Sequence, residues 1–454
     1  MKIWRTLLHT SLVVALLTAT ISPAMAYPSQ SVLPDWAVKS TIYEVNIRQY
    51  SAAGDFKSVT QSLPRLKNLG VGILWLMPVQ PISKINRKGT LGSPYSVADY
   101  KGINPEFGNA DDLHSLINTA HNLGMKVIID WVANHSGWDN PWIANKSWYH
   151  QDASGKIISP NADWTDVAWL NYDNTDMRAA MIDAMKYWVT QFDIDGFRAD
   201  VASGVPVDFW EDANQQLQQI KPLFMLAEEQ GTFGMLDKAF VANYNWRLLD
   251  LFNQIAKGQS PVDSFLAFYR IKTSLYPTGA LPMNFITNHD ENSWNGSEYK
   301  RLGAAVPAMA ALTFTLPGIP LIYSGQEVGN TRELAFFEKD QIPNIEVANS
   351  TTTFYKNLVA LKSKNAALWN SSGLATSDLT QKNSNIISFY RTTGKNRVIT
   401  LVNASPTAQT LKVNVASVSG TYYAFSNGKK VKLSGNLTLN LKPWQFEIYS
   451  TSGN

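Results

Sequence analysis

Short apolar runs alternate with segments of helical periodicity along most of the chain. Residues 71–77 form a continuous apolar run, which is typical of a parallel strand buried on both faces. Residues 58–69 instead repeat Val and Leu at helical spacing and end at Gly70. The predicted strands are 41–47, 71–77, 126–130, 196–200, 223–226, 283–287 and 319–323, with a weak one near 242–244 placed by count. The predicted helices are 58–69, 111–122, 177–191, 207–220, 299–314 and 352–368.

This alternation of strands and helices defines the expected fold. About eight repeats with buried strands predict an α/β protein with a (β/α)8 (TIM) barrel rather than an open doubly wound sheet. A polar, Trp-rich stretch after the third strand is too long for an ordinary loop and predicts a small inserted subdomain. Short alternating strands near the C-terminus predict an all-β sandwich domain. The expected boundaries are 27–133 and 173–369 for the barrel, 134–172 for the insert and 370–454 for the C-terminal domain.

Residues 1–26 have the pattern of a secretory signal peptide. Lys2 and Arg5 give a basic start, residues 7–21 are largely apolar, and Ala24-Met25-Ala26 is a small-residue cleavage site. The apolar run is shorter than the ~20 residues of a membrane span. We therefore expect export, to a periplasm or to the outside of the cell, without stable membrane insertion.

Composition narrows the range of partners. With 45% hydrophobic and 17% charged residues the chain is globular. Without Lys2 and Arg5 the formal charge falls from +3 to +1, since 37 of the 39 basic side chains remain against 36 acidic ones. Such a balance gives no reason to expect a nucleic acid partner. The chain has no cysteine, so disulfides are excluded. We expect a monomer that depends on no organic cofactor.

Carboxylates follow four of the predicted strands. Asp130, Asp200 and Asp290 each end one run, and Glu228 ends another, with Glu229 as the neighbouring alternative. A single acid in such a place is commonly a helix cap. Four acids at the C-terminal rim of a barrel, where active sites of this architecture lie, predict a catalytic site.

Basic side chains stand beside these acids. Arg198 precedes Asp200 by two residues, so on a strand both side chains point the same way and the guanidinium keeps the carboxylate ionised. His135 and His289 lie close in sequence to two of the other acids. Asp193 and Asp195, which precede the strand, are expected to be solvated or capping groups.

Several acids without cysteine leave metal-assisted hydrolysis and glycoside hydrolysis open. A barrel metallohydrolase usually has histidines at the end of its first strand, and residues 43–48 contain none. Glycoside hydrolysis needs one ionised carboxylate and one protonated acid. Asp200 beside Arg198 suits the first role, and a glutamate after the apolar run 223–226, with its pKa raised by burial, suits the second.

The sequence resembles the α-amylase family of glycoside hydrolases over essentially the whole mature chain. The similar motifs are Asp-Trp-Val-Ala-Asn-His at 130–135, Gly-Phe-Arg-Ala-Asp at 196–200, the acid at Glu228, Phe-Ile-Thr-Asn-His-Asp at 285–290, and Tyr95 with Asp99 in the loop 93–100. Each motif alone is weak, whereas four in this order at barrel spacing are highly specific.

The resemblance implies a role for each matching residue. Asp200 attacks the anomeric carbon, Glu228 is the acid and then the base, and Asp290 holds sugar hydroxyls. Arg198 keeps Asp200 charged and oriented. The remaining substrate-binding residues implied by the resemblance are Tyr95, Asp99, Asp130, His135 and His289.

Departures from the family pattern concern linkage and calcium. A Lys-His pair that many α-amylases carry is replaced by Ser203-Gly204, and Val201 is associated in the family with α-1,6-acting oligosaccharidases. Asn134 matches a calcium ligand of the family, whereas Trp169 stands where a calcium-binding Asp is often found. Asp163 or Asp166 are the alternative ligands, and Asn134 as a plain hydrogen-bonding residue is an equally good interpretation.

The main functional hypothesis is an exported, retaining hydrolase of α-1,4 bonds in starch-like polysaccharides or maltooligosaccharides. Alternatives within the family are an exo-acting or oligo-α-1,6-glucosidase and a glucanotransferase. An alternative of another class is a sugar-binding relative without catalysis, against which the retained acids argue.

Overall fold

The computed structural model describes residues 32–453 except 233, 263, 266, 270–275, 371–375 and 380–384. The signal peptide predicted at 1–26 therefore lies outside the described residues. Eight parallel strands close into a barrel in which the first strand pairs with both the second and the eighth. They are Ile42–Val45, Ile73–Leu76, Lys126–Trp131, Gly196–Ala199, Phe224–Ala227, Ala242–Tyr244, Leu281–Asn284 and Ile319–Tyr323. The predicted fold class is confirmed.

Helices connect the barrel strands and cover the barrel. The α-helices are Ile47–Tyr50, Phe56–Leu69, Ala110–Asn122, Thr175–Phe192, Val207–Gln218, Met235–Lys238, Trp246–Ala256, Glu298–Leu302, Val306–Thr315 and Ser350–Lys364. Short 3-10 helices are Asp35–Ala37, Pro141–Ala144, Lys146–Trp148, Ala202–Gly204, Gly303–Ala305, Gln326–Val328, Ala366–Leu368 and Ala416–Val418, and Glu291–Asn295 is a π-helix. In the described ranges, none of the helices combines the length and the apolar character that crossing a membrane requires.

Two predicted elements differ from the structure. The seventh strand is Leu281–Asn284 rather than 283–287. Phe285 and Ile286 are apolar because they are buried, although they lie beyond the paired part of the strand. The helix predicted at 299–314 is broken at Gly303, which adopts φ +53. A residue with a side chain would be strained there, so the glycine separates two helices that periodicity alone joins.

Gly196 opens the fourth strand where only glycine fits. Its φ is +156, and a Cβ atom on it would stand 1.9 Å from the carbonyl oxygen of Phe224. That contact lies across the pairing of the fourth strand with the fifth. The lack of a side chain lets the fourth strand, which carries Arg198, approach its neighbour.

Asp195 is buried, which corrects the expectation that it is solvated or a capping group. Its carboxylate accepts from the backbone N–H of Val127 at 2.9 Å and pairs with His121 at 2.7 Å and with Lys126 at 3.0 Å. Asp193, in contrast, is exposed at the end of its helix. Two acids two residues apart thus have different environments, because one points toward the third strand.

The polar segment after the third strand contains a two-stranded antiparallel sheet. Its strands are His135–Gly137 and Val167–Trp169. Trp142 and Trp148 pack edge to face with ring centroids 5.2 Å apart, and Trp138 donates to the carbonyl of Thr165. These three tryptophans mainly pack this segment.

The C-terminal strands form two antiparallel sheets with a shared apolar layer. The six-stranded sheet contains, in spatial order, Ser377–Asp378, Ile386–Thr393, Asn396–Asn403, Phe446–Ser450, Gly420–Ala424 and Lys430–Leu433. Gln409–Asn414 pairs with Asn436–Leu441 in the second sheet. The edge strand Lys430–Leu433 alternates two lysines with Val431 and Leu433, and lysine is common on edge strands.

Candidate active site

A cleft of about 540 Å³ lies where the barrel strands end at their C-terminal side. Asp200, Glu228 and Asp290, the three predicted catalytic acids, all line it. The other lining residues are Lys88, Ser93, Tyr95, His135, Asp163, Trp164, Asp166, Val167, Val201, His289, Trp294, Phe336 and Phe337. The barrel thus brings together acids that are 90 residues apart in sequence.

Arg198 connects the acids beneath the cleft. It is fully buried on the fourth strand, and its Nη1 donates to Asp200 at 2.8 Å and to Asp130 at 2.9 Å. Its Nη2 lies 3.0 Å from Glu228 Oε1, an ion pair without hydrogen-bond geometry. Its Nε donates to the hydroxyl of Tyr244 at 3.0 Å. One rigid guanidinium therefore fixes the two acids that face the cleft relative to each other.

Both cleft acids on Arg198 have a raised pKa. Burial raises the pKa of Asp200 to about 6, and the charge of Arg198 limits the rise. Burial raises the pKa of Glu228 to about 7, again against the effect of Arg198. Arg198 donates a hydrogen bond to Asp200 but makes only an ion pair with Glu228, so the guanidinium favours the charged form of Asp200 more directly. Such a pair meets the requirement for cleaving a glycosidic bond.

Val201 holds Glu228 through its backbone. The Val201 N–H donates to Glu228 Oε2 at 2.7 Å. Val201 has φ +43 and ψ +49, a left-handed conformation that β-branched residues rarely adopt. In this conformation the N–H points toward the carboxyl group. Strained backbone of this kind is common at functional sites, where the surrounding contacts hold it in place.

A second group of polar contacts surrounds His289. Its Nε2 lies 2.8 Å from the hydroxyl of Tyr95 and 3.2 Å from Asp290, and its Nδ1 meets Glu44. Burial raises the pKa of Asp290, but the charge and hydrogen bond of His289 together with the charge of Arg198 outweigh burial, and the net pKa lies below its ordinary value. The hydroxyl of Tyr95 is also 3.0 Å from Asp130, which joins the two groups of contacts.

His135 stands opposite, on the insert side of the cleft. Its Nε2 is 4.0 Å from Asp200, and burial lowers its pKa to about 4. A neutral imidazole suits a hydrogen bond to a sugar hydroxyl. Trp164 lies beside it with ring centroids 5.5 Å apart and lines the cleft as well.

Three predicted substrate-binding residues lie outside the cleft lining. Asp99 is exposed and accepts from the backbone N–H of Lys101, so the structure does not bring it to the cleft. Asp130 and Arg198 are fully buried below the surface and reach the cleft through Asp200 and Tyr95. These two residues hold other site residues in place rather than face a ligand.

Glu229 turns away from the cleft and leaves Glu228 facing it. The Glu229 carboxylate accepts from the backbone N–H groups of Gly231 and Thr232 and from the side chain of Asn243. Adjacent residues on an extended chain point to opposite sides.

Several residues in the cleft or directly behind it were missed in the sequence. Glu44 lies inside the first strand, where a buried acid has no motif to mark it. Trp294, Phe336 and Phe337 form an aromatic group at the cleft, with Trp294 58% exposed. A tryptophan four residues after a candidate acid was the available signal for Trp294, whereas the two phenylalanines arrive from a distant loop.

The predicted calcium ligands do not assemble a metal site. The Asn134 amide donates to His135 Nδ1 at 3.1 Å. Asp166 is paired with Lys88 at 3.2 Å, and Lys88 also contacts the backbone carbonyl of Asp163. Within the described ranges no group of three or more acidic or histidine side chains is arranged to hold a metal ion. The Lys88 ammonium group already pairs with Asp166, so this donor set does not suit a divalent cation.

The fold and the site together define a barrel glycosidase. A family model described as the alpha amylase catalytic domain matches residues 38–168 and 143–378, and one described as the alpha amylase C-terminal all-beta domain matches residues 377–450. Together they account for most of the chain. The chain belongs to the α-amylase family and is a glycoside hydrolase of that family.

Individual relatives agree with this assignment. An α-amylase of Haloarcula japonica is 30% identical over 315 residues, which cover 65% of this chain but only 45% of that enzyme. The crystal structure of an α-amylase from Lactobacillus plantarum has a TM-score of 0.81 at 30% identity and covers 91% of this chain and 99% of its own. A maltogenic α-amylase from Thermotoga neapolitana gives 0.82 at 27% identity, with 91% and 99% coverage.

Proposed function

We propose that this enzyme hydrolyses α-1,4-glucosidic bonds of starch-like polysaccharides or maltooligosaccharides with retention of anomeric configuration. The observation that carries the proposal is the pair of acids Asp200 and Glu228, which are held by one guanidinium and both line the cleft. A retaining mechanism needs such a nucleophile and acid pair.

The first step forms a glycosyl-enzyme. A carboxylate oxygen of Asp200 attacks the anomeric carbon, and the bond from that carbon to the glycosidic oxygen breaks. Glu228 gives its proton to the departing oxygen, so the leaving sugar departs as an alcohol and Glu228 becomes a carboxylate. Arg198 contacts both carboxyl groups and moderates their change in charge.

The second step releases the product. Glu228, now ionised, takes a proton from water, and the water oxygen attacks the anomeric carbon from the side that the leaving group vacated. The bond to Asp200 breaks and the nucleophile regains its charge. Two inversions give net retention.

The other cleft residues orient the sugar. Asp290 carries a negative charge that His289 stabilises, and it suits paired sugar hydroxyls and the positive charge of the oxocarbenium ion. Tyr95 offers a ring at the floor, and neutral His135 offers a hydrogen bond near Asp200. The aromatic group of Trp294, Phe336 and Phe337 supports stacking of a further glucose unit.

The anomer released first tests the mechanism. We expect NMR of maltotriose hydrolysis to show the α-anomer before mutarotation, and Asp200→Asn and Glu228→Gln to lower kcat by at least about a thousandfold. Mass spectrometry after reaction with a fluorinated glucosyl fluoride is expected to place the adduct on Asp200. A β-anomer appearing first would overturn retention.

The second candidate function is α-1,6 or exo cleavage, or transfer, by the same acids. Its support is Val201, which lines the cleft directly after the nucleophile, together with Gly204 in place of a larger polar residue. Rates on soluble starch, maltotriose and isomaltose separate the linkages, and longer products at high maltotriose concentration identify transfer. Failure of the pure enzyme on every α-glucan would favour the non-catalytic alternative.

Export is also part of the proposal. The support is the basic, apolar and small-residue order of residues 1–26. N-terminal sequencing of the mature enzyme from a secreting host is expected to begin at Tyr27. A retained Met1 would contradict export through this segment.

A further inference from the structure

Glu44 is a buried charged residue behind the cleft, and the mechanism above does not use it. It lies on the first strand, its side chain is fully buried, and its Oε1 contacts His289 Nδ1. Its second oxygen, Oε2, has no hydrogen-bond partner among the described residues. A buried carboxylate with one polar contact is costly unless it stabilises a positive charge.

The hydrogen bonds around His289 indicate how many protons its ring carries. Asp130 accepts from Arg198 at 2.9 Å and from the indole of Trp75 at 3.2 Å, and its Oδ2 is 3.0 Å from the hydroxyl of Tyr95. An ionised carboxylate only accepts, so Tyr95 donates its single proton to Asp130. The hydroxyl oxygen of Tyr95 then accepts from His289 Nε2 at 2.8 Å.

The same count applies to the other ring nitrogen. Nδ1 faces a Glu44 carboxyl oxygen. Burial raises the pKa of Glu44, and the charge and hydrogen bond of His289 oppose that rise. An ionised Glu44 only accepts, so Nδ1 then carries a proton as well. A ring with protons on both nitrogens is an imidazolium. The contacts are therefore all satisfied in one direction, from His289 to Glu44 on one side and through Tyr95 to Asp130 on the other.

The charges around the ring agree with this count. The charged and titratable groups that face His289 or its partners are Glu44, Asp290, Asp130, Tyr95, Arg198, Tyr244 and Tyr323. Burial lowers the pKa of His289, but Asp290 and Glu44 outweigh burial, and the net pKa lies well above its ordinary value. Of the two acids that contact His289, Asp290 lines the cleft and Glu44 does not, so Glu44 is the acid that no substrate contacts.

We infer that Glu44 is a positioning residue that holds His289 as an imidazolium and so fixes the direction of the hydrogen bonds from His289 through Tyr95 to Asp130. This inference rests on the proposed function for its effect on activity. Glu44, which belongs to no sequence motif, then keeps Tyr95 and Asp290 in the orientation in which they meet the substrate.

The test replaces the charge and keeps the shape. Glu44→Gln retains an acceptor for Nδ1 but removes the negative charge. Side-chain 15N NMR of the histidines, with His289 assigned by its loss in His289→Gln, follows both ring nitrogens. We expect the wild-type ring to stay doubly protonated through about pH 8, and the Glu44→Gln midpoint to fall by about one unit or more.

A matched variant separates positioning from packing. Glu327 is also fully buried and accepts from Tyr43 at 2.7 Å and from Arg65 at 2.8 Å, away from the cleft lining. Glu327→Gln is expected to lower stability without moving the His289 titration. Because only Glu44→Gln neutralises the ring, its kcat/KM relative to wild type is expected to fall about tenfold further between about pH 6 and pH 8.

Three results would overturn the inference. They are a neutral wild-type ring, an unchanged titration in Glu44→Gln, and an activity ratio that is flat in pH. The NMR measurement needs no turnover, so a wild-type enzyme inactive on α-glucans would count against the proposed function and leave the assignment of the ring intact.

Discussion

Arg198 contacts three carboxylates from inside the barrel, and this single side chain sets the charge state of the cleft. Asp130 and Asp200 share Nη1, while Glu228 meets Nη2. The guanidinium also lies over the rings of Trp75, Tyr95 and Tyr244, at 5.2 to 5.7 Å from their centroids. A planar fork with fixed angles is required for these contacts, so arginine and lysine are not equivalent here.

Arg198→Lys is predicted to lower kcat/KM by about a hundredfold or more, because one ammonium cannot replace the separate contacts to Asp200 and Glu228. Weaker compensation of charge leaves the pKa of Asp200 higher, so the acidic limb of the pH–activity profile moves to higher pH. The measurement is kcat/KM against pH. The control is Arg301→Lys, a buried arginine outside the cleft lining, and an unmoved acidic limb in Arg198→Lys would refute the argument.

Val201→Gly is predicted to cost less than about 1 kcal/mol of stability although it removes a side chain, because glycine relieves the left-handed conformation. Activity is expected to fall, since a freer backbone holds Glu228 less firmly. Thermal unfolding and kcat measure the two effects. Val205, buried with φ −121, is the control, and Val205→Gly is expected to cost at least about 2 kcal/mol. Equal losses in both variants would contradict the strain.

The third and fourth strands are joined at their start by an ion-pair cluster around Asp195. The carboxylate bonds to Val127 at the beginning of the third strand and pairs with His121 on the preceding helix. Lys221 adds a contact at 3.2 Å just before the fifth strand. This cluster lies at the end of the barrel opposite the cleft. Residues at that end contribute to stability rather than to catalysis.

Asp195→Asn is predicted to lose about 2 kcal/mol of stability at neutral pH. Burial raises the pKa of Asp195, but His121, the Val127 N–H and Lys221 outweigh it and bring the pKa to about 2. A carboxyl group with a lowered folded pKa stabilises above its unfolded pKa of about 4, and this stability is lost as pH falls toward 2. Urea unfolding at several pH values measures it.

The neighbouring acid supplies the control for this cluster. Asp193 has a side chain that is 68% exposed, so Asp193→Asn is expected to change stability by less than about 1 kcal/mol. A gap between the Asp195 variant and wild type that stays constant from neutral pH to pH 2 would contradict the linkage.

In the whole enzyme, the insert contacts the barrel through the Lys88–Asp166 ion pair. The sequence predicts calcium in the same segment, at Asn134. We predict that neither a chelator nor added calcium changes Tm. A metal bound only by the folded state raises stability by about 2.7 kcal/mol at a hundredfold excess over its Kd. Scanning calorimetry with EDTA and then with CaCl₂ measures this. A calcium-dependent rise in Tm would restore Asn134 as a ligand.

The C-terminal domain attaches to the barrel through one face of its larger sheet. Ile387, Phe389 and Ile448 belong to the apolar cluster of the barrel, whereas Ile386, Ile399 and Leu401 belong to the cluster shared with the two-stranded sheet. This alternation along the strands follows from the period of two. Both faces of these strands therefore carry apolar residues, because one face packs against the barrel and the other against the two-stranded sheet.

The sequence alone determined the barrel, the order of its strands and the acids of the cleft. Buried parallel strands must be apolar throughout, and motif acids directly follow such runs, so both leave a local pattern. Even the break at Gly303 had a local signal, because glycine is the residue that tolerates a positive φ.

Tertiary structure decided the partners of those acids. Glu44 and His289 are 245 residues apart and meet only because the first strand closes on the eighth, which is paired with the seventh strand. Asp195 is buried and Asp99 exposed for reasons of packing that no local spacing carries. Proton affinities depend on burial and on charges that folding brings together. The roles of Asp200 and Glu228 therefore depend on the barrel, which places Arg198 in contact with both.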